Sequence, residues 1–405
     1  MDAQATDGLL RFFRNIQDPR SANARHPLCD LLTIAILAVL CGAEGWAAVE
    51  AWGLGNLPWL QTFLELPHGI PSHDTFDRVF GMINPSGFEQ CFMDWTAALV
   101  RNAAGLFVAV DGKTLRHSWK RAWSKTPVHL VSAFVSKNQL VLGQLATDCK
   151  SNEITAIPKL LAMLELAGAT VTIDAMGCQR DIAAQIIRQN AHYILAVKDN
   201  QPTLHEKVKG LLDGAIIEAF EDMQYSFTEE TDDGHGRIET RRVWVTNEVK
   251  WLGQDILDLW PGLASVAVVE STRQDFGDIS GKVSTERRYF ISSHVGTNAQ
   301  LIGDAVRSHW GVENGLHWCL DVAMNEDGSR LRMDNGAENF SRLRRIALNK
   351  LKRWQPKKAN GKNLNVGIRI KQQMCGWSRE SLIQALLAYM RLPCDQPRSA
   401  HAVRL

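Results

Sequence analysis

The chain has 405 residues, an apolar share of 45% and a formal net charge of +1, which fit a globular protein with more than one structural unit. Its eight cysteines form no C-x-x-C pair, so the sequence predicts neither a zinc module nor a disulfide framework. We expect reduced thiols in a cytoplasm instead. Residues 1–7 lack the basic start and apolar run of a secretory signal, and the apolar stretch 28–43 is too short and interrupted to span a bilayer.

Charge is segregated along the chain although its sum is close to zero. Residues 1–100 contain five arginines, no lysine and eleven acidic residues, whereas residues 330–371 contain thirteen lysines and arginines and only two acidic residues. A basic tract can neutralise phosphates whatever charge the rest of the chain carries, so this tract predicts a nucleic-acid partner. A solvated helix face is the alternative explanation of the same pattern.

The first hundred residues predict a helical unit. Helical patterns cover residues 7–16, 29–52 and 74–99, and the second has apolar residues on all sides. We therefore expect a helical N-terminal domain over residues 1–100.

From residue 106 the pattern changes to short apolar runs. The predicted elements are strands at 106–114, 128–137, 140–149, 169–175 and 192–198 and helices at 154–168 and 180–190. The first three strands can form a meander, and the later strands need crossover helices, so the order implies a mixed sheet covered by helices. This is the element order of an RNase H-like α/β core, whose first part we place at 101–205.

The chain returns to strand patterns after a helix that begins near Pro202. The segments YSFTEE, RIETRRVWVT, SVAVVES and RRYFISS predict a β-rich insertion at 206–290. A long helix at 298–324 then belongs to a second part of the core, 291–350. The remaining residues, 351–405, form a basic C-terminal region.

Three acidic residues stand where a sheet protein does not normally place them. Asp111 interrupts an apolar run inside a predicted strand, and Asp174 ends another strand. A carboxylate on a buried strand is costly to desolvate unless a cation lies beside it. Glu313 adds a third carboxylate on the long helix, with His317 and Asp321 on the same helical face. The positions suggest a cation site, although a strand-end aspartate alone is equally explained as a turn cap.

Several longer segments are specific enough to indicate a family. They are VDGKTLRHS around Asp111, KSNEITAIPKLL at 150–161, TIDAMGCQ around Asp174, AVKDNQPTL at 196–204, HWGVENGLHWCLDVAMNEDGSR from His309, and the N-terminal RHPLCDLLTIAILAVLCGAEGW and PSHDTFDRVF. Together they resemble the H-repeat-associated insertion-sequence transposases of the DDE superfamily and that family's associated N-terminal domain. The resemblance covers nearly the whole chain in family order.

The resemblance implies that Asp111, Asp174 and Glu313 form a catalytic triad that holds two Mg²⁺ or Mn²⁺ ions, and that the chain cleaves DNA and transfers strands at insertion-sequence ends. Carboxylate oxygens suit such hard cations. The predicted β insertion accounts for the long separation of Asp174 and Glu313. Leu320 stands where related transposases lead one to expect a lysine, so that part of the family pattern is not carried over.

Basic residues near these acids and in the basic tract are the candidate DNA contacts. The candidates are Lys113, Arg116, Lys198, Arg307, His317, Arg344, Arg345, Lys352 and Arg353. The first three are equally explained as solvent-facing, and His317 could instead orient Glu313 or pack in the helix. If Glu313 is not a ligand, the replacements are Asp321, Glu326 and Asp327.

The expected partners are double-stranded DNA, as terminal inverted repeats and target, and a second copy of the chain in an active homodimer. The expected location is the bacterial cytoplasm, at the nucleoid. Three other functions stay open: an RNase H-like DNA nuclease without transposition, an inactive DNA-binding remnant of a mobile element, and a carboxylate-pair glycosidase. A glycosidase has no need of the basic tract.

Overall fold

The computed structural model describes residues 8–21, 24–100, 102–118, 127–147, 153–233, 236–275 and 283–388. The helices are α1 (Leu28–Leu40), α2 (Trp46–Leu60), α3 (His73–Met82), α4 (Pro85–Leu99), α5 (Glu153–Ala162), α6 (Arg180–Arg188), α7 (Pro202–Ile217), α8 (Gln254–Leu259), α9 (Ala299–Val312), α10 (Gly336–Arg353), α11 (Ile368–Trp377) and α12 (Arg379–Leu387). The strands are β1 (Phe107–Thr114), β2 (His129–Val135), β3 (Leu140–Thr147), β4 (Thr170–Ile173), β5 (His192–Val197), β6 (Tyr225–Asp232), β7 (Arg237–Thr246), β8 (Ser265–Asp275) and β9 (Val283–Ser292). Within these ranges no helix has the length and apolar character that crossing a membrane requires.

The N-terminal region is helical as predicted, with two breaks that the apolar pattern did not reveal. The predicted helix at 29–52 divides between α1 and α2, where Gly42 adopts a φ of 95° that favours glycine. The predicted helix at 74–99 divides at Asn84, whose side chain accepts hydrogen bonds from the amides of Ser86 and Gly87 and caps α4. The predicted helix at 7–16 is helical only at 8–10 within the described residues.

These N-terminal helices pack around α10, which carries much of the basic tract. Helix α10 contacts α1, α3 and α4. Its Phe340, Leu343 and Ile346 lie in one apolar core with Phe80 and Phe88. Apolar packing thus joins segments that the sequence patterns assign to separate domains.

Three arginines of α10 are buried, which corrects the expectation that two of them bind DNA. Arg342, Arg344 and Arg345 are at most 2% exposed. Arg345 donates to the Glu326 carboxylate at 3.0 Å, and the Arg344 guanidinium lies over the Phe340 ring, 4.5 Å from its centroid. A guanidinium enclosed and paired in the interior cannot reach a phosphate, so Arg344 and Arg345 serve the packing of α10.

The last turn of α10 is less enclosed. Lys352 is half-buried and donates to the Gln139 amide oxygen at 2.9 Å, and Arg353 is half-buried with a pKa lowered by burial. Their DNA-binding role stays a prediction. The predicted basic region at 351–405 is described only to residue 388, where α11 and α12 pack beside α10.

One nine-stranded sheet runs through the protein in the order β3-β2-β1-β4-β5-β9-β8-β7-β6. Strands β1, β4 and β5 are parallel neighbours, and β2 and β3 continue from β1 as an antiparallel meander. The order and directions of β1 to β5 are those of an RNase H-like core, so the predicted fold class is confirmed. The predicted β insertion extends this sheet, because β9 pairs with β5 in antiparallel register.

Helix α9 covers one face of the sheet. Its Ile302 and Ala305 pack against Ile194 of β5, Val243 of β7 and Phe290 of β9. The predicted helix at 298–324 is α-helical only to Val312 and continues as π-helical turns at Glu313–His317 and Cys319–Ala323. Helices α5, α6 and α7 cover the opposite face, so the central strands β4 and β5 are enclosed on both sides.

The buried pair between α10 and α4 provides a test of this packing. Arg342 Nε donates to Glu89 at 2.5 Å, and both side chains are 1% exposed. Burial raises the pKa of Glu89 against the opposing effect of Arg342, so its carboxylate depends on that guanidinium. We expect Arg342→Met to lower the free energy of unfolding by about 3–5 kcal/mol, because it leaves a buried charge without its partner.

Urea denaturation followed by circular dichroism measures this loss. Lys352→Met on the same helix is the matched control and should cost about 1 kcal/mol, the value of one hydrogen bond. Equal losses in the two variants would contradict the role given to the Arg342 pair.

Candidate active site

Two of the predicted acids lie side by side at neighbouring parallel strands, Asp111 within β1 and Asp174 directly after β4. Val110 of β1 pairs with Ile173 of β4, so the next residues, Asp111 and Asp174, stand at the same level. Val110 and Ile173 point into the core beneath α5 and α6. Because side chains alternate along a strand, Asp111 and Asp174 point to the other face, which α9 covers.

Helix α9 brings the third acid to the same place. Its α-helical part ends at Val312, and Glu313 begins the first π-helical turn. His317, 6% exposed, lies between two carboxylates, with Nδ1 3.6 Å from Asp111 Oδ2 and 3.5 Å from Glu313 Oε2. The extra residue per turn of a π helix changes which side chains share a face, and such turns are frequent at functional sites. The buried position of His317 corrects the expectation that it contacts DNA.

The three acids line one cavity of about 260 Å³ between α9 and the sheet. The same wall contains Lys198, Arg288, His309 and Trp310. Asp174 also caps the turn after β4, because its carboxylate accepts hydrogen bonds from the amides of Met176 at 3.1 Å and Gly177 at 3.3 Å. Asp174 therefore caps the turn and lines the cavity at the same time.

The acid cluster carries unfavourable negative charge. Burial raises the pKa of Asp111 to about 6; His317 opposes this rise, and repulsion from Asp174 and Glu313 adds to it. The hydrogen bond with His317 lowers the pKa of Glu313. A group with a raised pKa inside a cavity is a frequent property of functional sites. A cation in this cavity would offset the cost of ionising Asp111.

The donor set fits a hard divalent cation. Ligand atoms of Asp111, Glu313 and His317 lie within 4.8 Å of one another. Carboxylate oxygens are the donors that Mg²⁺ and Mn²⁺ prefer, whereas a histidine nitrogen suits softer metals. His317 is thus better suited to orienting Glu313 than to holding Mg²⁺.

The proposed replacements for Glu313 are engaged elsewhere. Lys113 is 8% exposed; it donates to Asp321 and lies 3.6 Å from Asp327. Arg116, largely exposed, lies 3.2 Å from Asp327, and Glu326 is buried with Arg345. Each replacement acid therefore already has a basic partner, which favours Glu313 as the third ligand. The buried ion pair also corrects the expectation that Lys113 binds DNA.

Other basic residues near the cavity are placed differently. Lys198 is exposed at the end of β5, and Arg307 is half-exposed on α9, 3.4 Å from Glu230 Oε2. Arg288 was missed by the sequence analysis; its guanidinium lies 4.7 Å from the centroid of the Trp310 ring and donates to Glu286. The alternation in RRYFISS could have indicated it, because Arg288 and the inward Phe290 share a face.

A buried pair on the other face of β1 supports the position of Asp111. His129 Nε2 lies 2.5 Å from Glu153 Oε1, and His129 Nδ1 lies 2.8 Å from the Thr114 hydroxyl. Gly112 leaves room for this pair, because a Cβ there would collide with the Glu153 carboxylate and lie 2.6 Å from His129 Nε2. The motif VDGKT thus needs its glycine for packing directly behind the acid.

The raised pKa of Asp111 predicts a stability change in the metal-free protein. A buried acid whose pKa rises from 3.8 to about 6 on folding makes the folded state less stable as pH rises through this interval. Asp111→Asn removes the ionisable group. In chelator at pH 8 the free energy of unfolding of this variant should therefore exceed that of the wild type by up to about 3 kcal/mol. The difference should vanish below about pH 3, where the carboxyl is protonated in both the folded and the unfolded state.

Thermal unfolding at several pH values measures the effect. Asp199→Asn changes an aspartate that is 99% exposed at the same edge of the sheet, and it should follow wild type throughout. An Asp111→Asn variant no more stable than wild type at pH 8 would contradict the inference that folding raises the pKa of Asp111.

Comparisons with known proteins identify the family of the chain. The family model described as Transposase DDE domain matches residues 102–350, and the model described as DDE_Tnp_1-associated matches residues 10–96. The protein named "H repeat-associated putative transposase YhhI" from Escherichia coli (strain K12) is 38% identical over 93% of this chain and 97% of its own length. YncI of Escherichia coli O157:H7, which also has a transposase name, is 40% identical over 85% of this chain and 87% of its own.

Among solved structures, a piggyBac transposase synaptic complex with hairpin DNA is similar at a TM-score of 0.40 and 10% identity, covering 96% of this chain and 78% of that one. The family models and the relatives match along nearly the whole chain, and the chain belongs to the DDE transposase family.

Proposed function

We propose that this protein cleaves DNA strands at the ends of an insertion sequence and transfers them to target DNA, with Asp111, Asp174 and Glu313 as its metal ligands. The observation that supports this assignment is the meeting of these three acids, from β1, β4 and the first turn after α9, in one cavity. Family membership implies use of a divalent metal, and the oxygen-rich donor set favours Mg²⁺ or Mn²⁺.

Each side chain of the site has a distinct task in this proposal. When bound, two divalent ions supply activation of the attacking hydroxyl and stabilisation of the leaving oxygen. Asp111, Asp174 and Glu313 would hold these ions through their carboxylate oxygens. His317 lowers the pKa of Glu313 and orients its carboxylate, which lies 3.5 Å from His317 Nδ1. Lys198 and Arg288 line the cavity and hold the non-bridging oxygens of the scissile phosphate.

The reaction has two steps of the same kind. In cleavage, a water oxygen forms a bond to phosphorus while the bond to the 3′ oxygen breaks, which releases a 3′-hydroxyl. In transfer, that 3′-hydroxyl attacks a target phosphodiester and displaces its 3′ oxygen. Both displacements proceed without a covalent bond to the protein, so the site needs no nucleophilic side chain.

The partners follow from the substrate. Double-stranded DNA supplies both the element ends and the target. Two ends must be cut for one element to move, and one cluster of this kind is found among the described residues. We therefore propose a homodimer as the active complex, working at the nucleoid in the cytoplasm. The lysine that related transposases lead one to expect at the position of Leu320 is not needed in this scheme, because Lys198 and Arg288 supply positive charge at the cavity.

Removal of any ligand should abolish catalysis and leave the fold intact. We expect Asp111→Ala, Asp174→Ala and Glu313→Ala each to reduce strand cleavage by at least about 10³-fold, because the loss of a ligand removes metal-derived charge stabilisation of several kcal/mol. A gel assay on a DNA duplex carrying the inverted repeats that flank the gene measures nicking and joining separately.

Asp199→Ala, at the same edge of the sheet, is the matched control and should cleave like wild type. Near wild-type cleavage by any of the three alanine variants would remove that residue from the ligand set. Nicking without joined products would instead support a nuclease that does not transpose.

The choice of metal is tested by substitution. Mg²⁺ and Mn²⁺ should support cleavage, whereas Ca²⁺ should permit DNA binding with little cleavage, because it is larger and less strict in its coordination geometry. The same gel assay, run after dialysis against chelator and addition of each ion, gives the result. Full activity in excess chelator would contradict the metal-dependent mechanism.

A further inference from the structure

A line of basic residues begins at the cavity and crosses the extended part of the sheet. Lys198 at the end of β5 and Arg288 on β9 line the cavity itself. Arg273 on β8 and Arg241 and Arg237 on β7 lie farther out. We call these five residues the basic track.

The strand register places the four arginines of the track on one face. Arg288 pairs with Val269, and alternation from Val269 leads to Arg273 on the same face of β8. Arg273 pairs with Glu239 of β7, whose neighbours on that face are Arg237 and Arg241. This is also the face of Phe290 and Val269, which pack with α9. The track therefore lies on the side of the sheet from which the three acids point.

A buried carboxylate holds the outer arginines in place. Glu239 is 5% exposed and lies 2.6 Å from Arg241, 3.2 Å from Arg237 and 3.6 Å from Arg273. These arginine side chains keep 31% to 44% of their surface exposed. One carboxylate cannot neutralise three guanidinium groups, and two further acids on this face, Glu230 and Asp232 of β6, lie 3.4 and 4.0 Å from another arginine, Arg307. The guanidinium groups are fixed before any ligand arrives, which reduces the entropy lost on binding.

The second acid near the track does not remove its positive charge. Glu286 on β9 accepts hydrogen bonds from Arg288 at 2.8 and 3.0 Å. Arg273 and Lys198 further lower the pKa of Glu286 through their charges, so both lie near it. Counted with the β6 acids, four acids on this face, Glu230, Asp232, Glu239 and Glu286, stand against six basic residues, the five of the track and Arg307. The opposite face of the same strands differs, because Arg242 and Arg287 share Glu270 and also pair with Glu229 and Asp213.

We propose that the basic track binds the phosphate backbone of the DNA duplex that flanks the bond positioned in the cavity. This inference rests on the proposed function for the identity of the ligand. Arg241 lies two strands away from Arg288 and two residues along β7 from Val243, the position level with Arg288. This separation is about 12 Å, which equals three to four base steps of DNA. The track thus has the length to hold several successive phosphates on the side of the catalytic acids. It takes over the role that the sequence assigned to Arg344 and Arg345.

The salt dependence of DNA binding tests the track without requiring catalysis. The probe is a labelled duplex of arbitrary sequence about three helical turns long, and fluorescence anisotropy in Ca²⁺ gives its Kd at several salt concentrations. The test variant is the double substitution Arg237→Gln, Arg241→Gln. We expect the slope of log K against log salt to become shallower by about 1.8, since each phosphate contact contributes about 0.9.

The control is Arg242→Gln with Arg287→Gln, which removes two ion-paired arginines from the opposite face of the same sheet. Its slope should stay within about 0.5 of wild type. Arg237→Lys with Arg241→Lys should keep the wild-type slope, which distinguishes loss of charge from loss of fold. Equal changes in the two glutamine variants, or no change in either, would overturn the inference.

The two proposals fail differently. A wild-type protein that binds the duplex through the track but does not cleave in Mg²⁺ would contradict the proposed function and support the track. Cleavage by the wild type together with an unchanged slope in Arg237→Gln, Arg241→Gln would overturn the track alone. A wild type with no salt-dependent duplex binding would overturn both.

Discussion

The packing of α9 across the sheet is the contact on which the candidate site depends. Ile302 and Ala305 hold the helix on β5, β7 and β9, and the helix ends at the point where β1 and β4 carry their acids. This packing brings Glu313 to Asp111, to which it is connected only through a long stretch of intervening chain. The extension β6 to β9 is therefore part of the site's construction, because it supplies much of the surface on which α9 rests.

Buried carboxylates have basic partners in the helical region around α10, whereas three carboxylates line one cavity between α9 and the sheet. In the helical half, Glu89 and Glu326 are buried with Arg342 and Arg345 as partners, which fixes the position of α10. In the cavity, burial and repulsion raise the pKa of Asp111, so this carboxylate is costly to keep ionised without a cation. The ion pairs of α10 thus stabilise the fold, whereas the negative charge of the cavity is available to bind a cation.

The sequence predicted the elements of the core well and the roles of basic residues poorly. Short apolar runs located all five core strands, and an acid inside such a run identified Asp111, because continuous apolar runs indicate buried strands. Net charge does not report burial. Arg344 and Arg345 belong to a basic tract, but the oxygens to which they donate, on Glu44 and Glu326 respectively, come from outside the helix and cannot be read from local spacing. Arg288 and Arg241 were missed for the converse reason, since only strand register shows that they face the cavity side.

The most direct test of the account is a crystal structure of the protein with Mn²⁺, examined by anomalous scattering. The account predicts manganese peaks in the cavity, coordinated by carboxylate oxygens of Asp111, Asp174 and Glu313, with His317 against Glu313. Manganese bound instead at Asp321 and Asp327, after displacement of Lys113, would contradict the central claim that the three converging acids form the metal site.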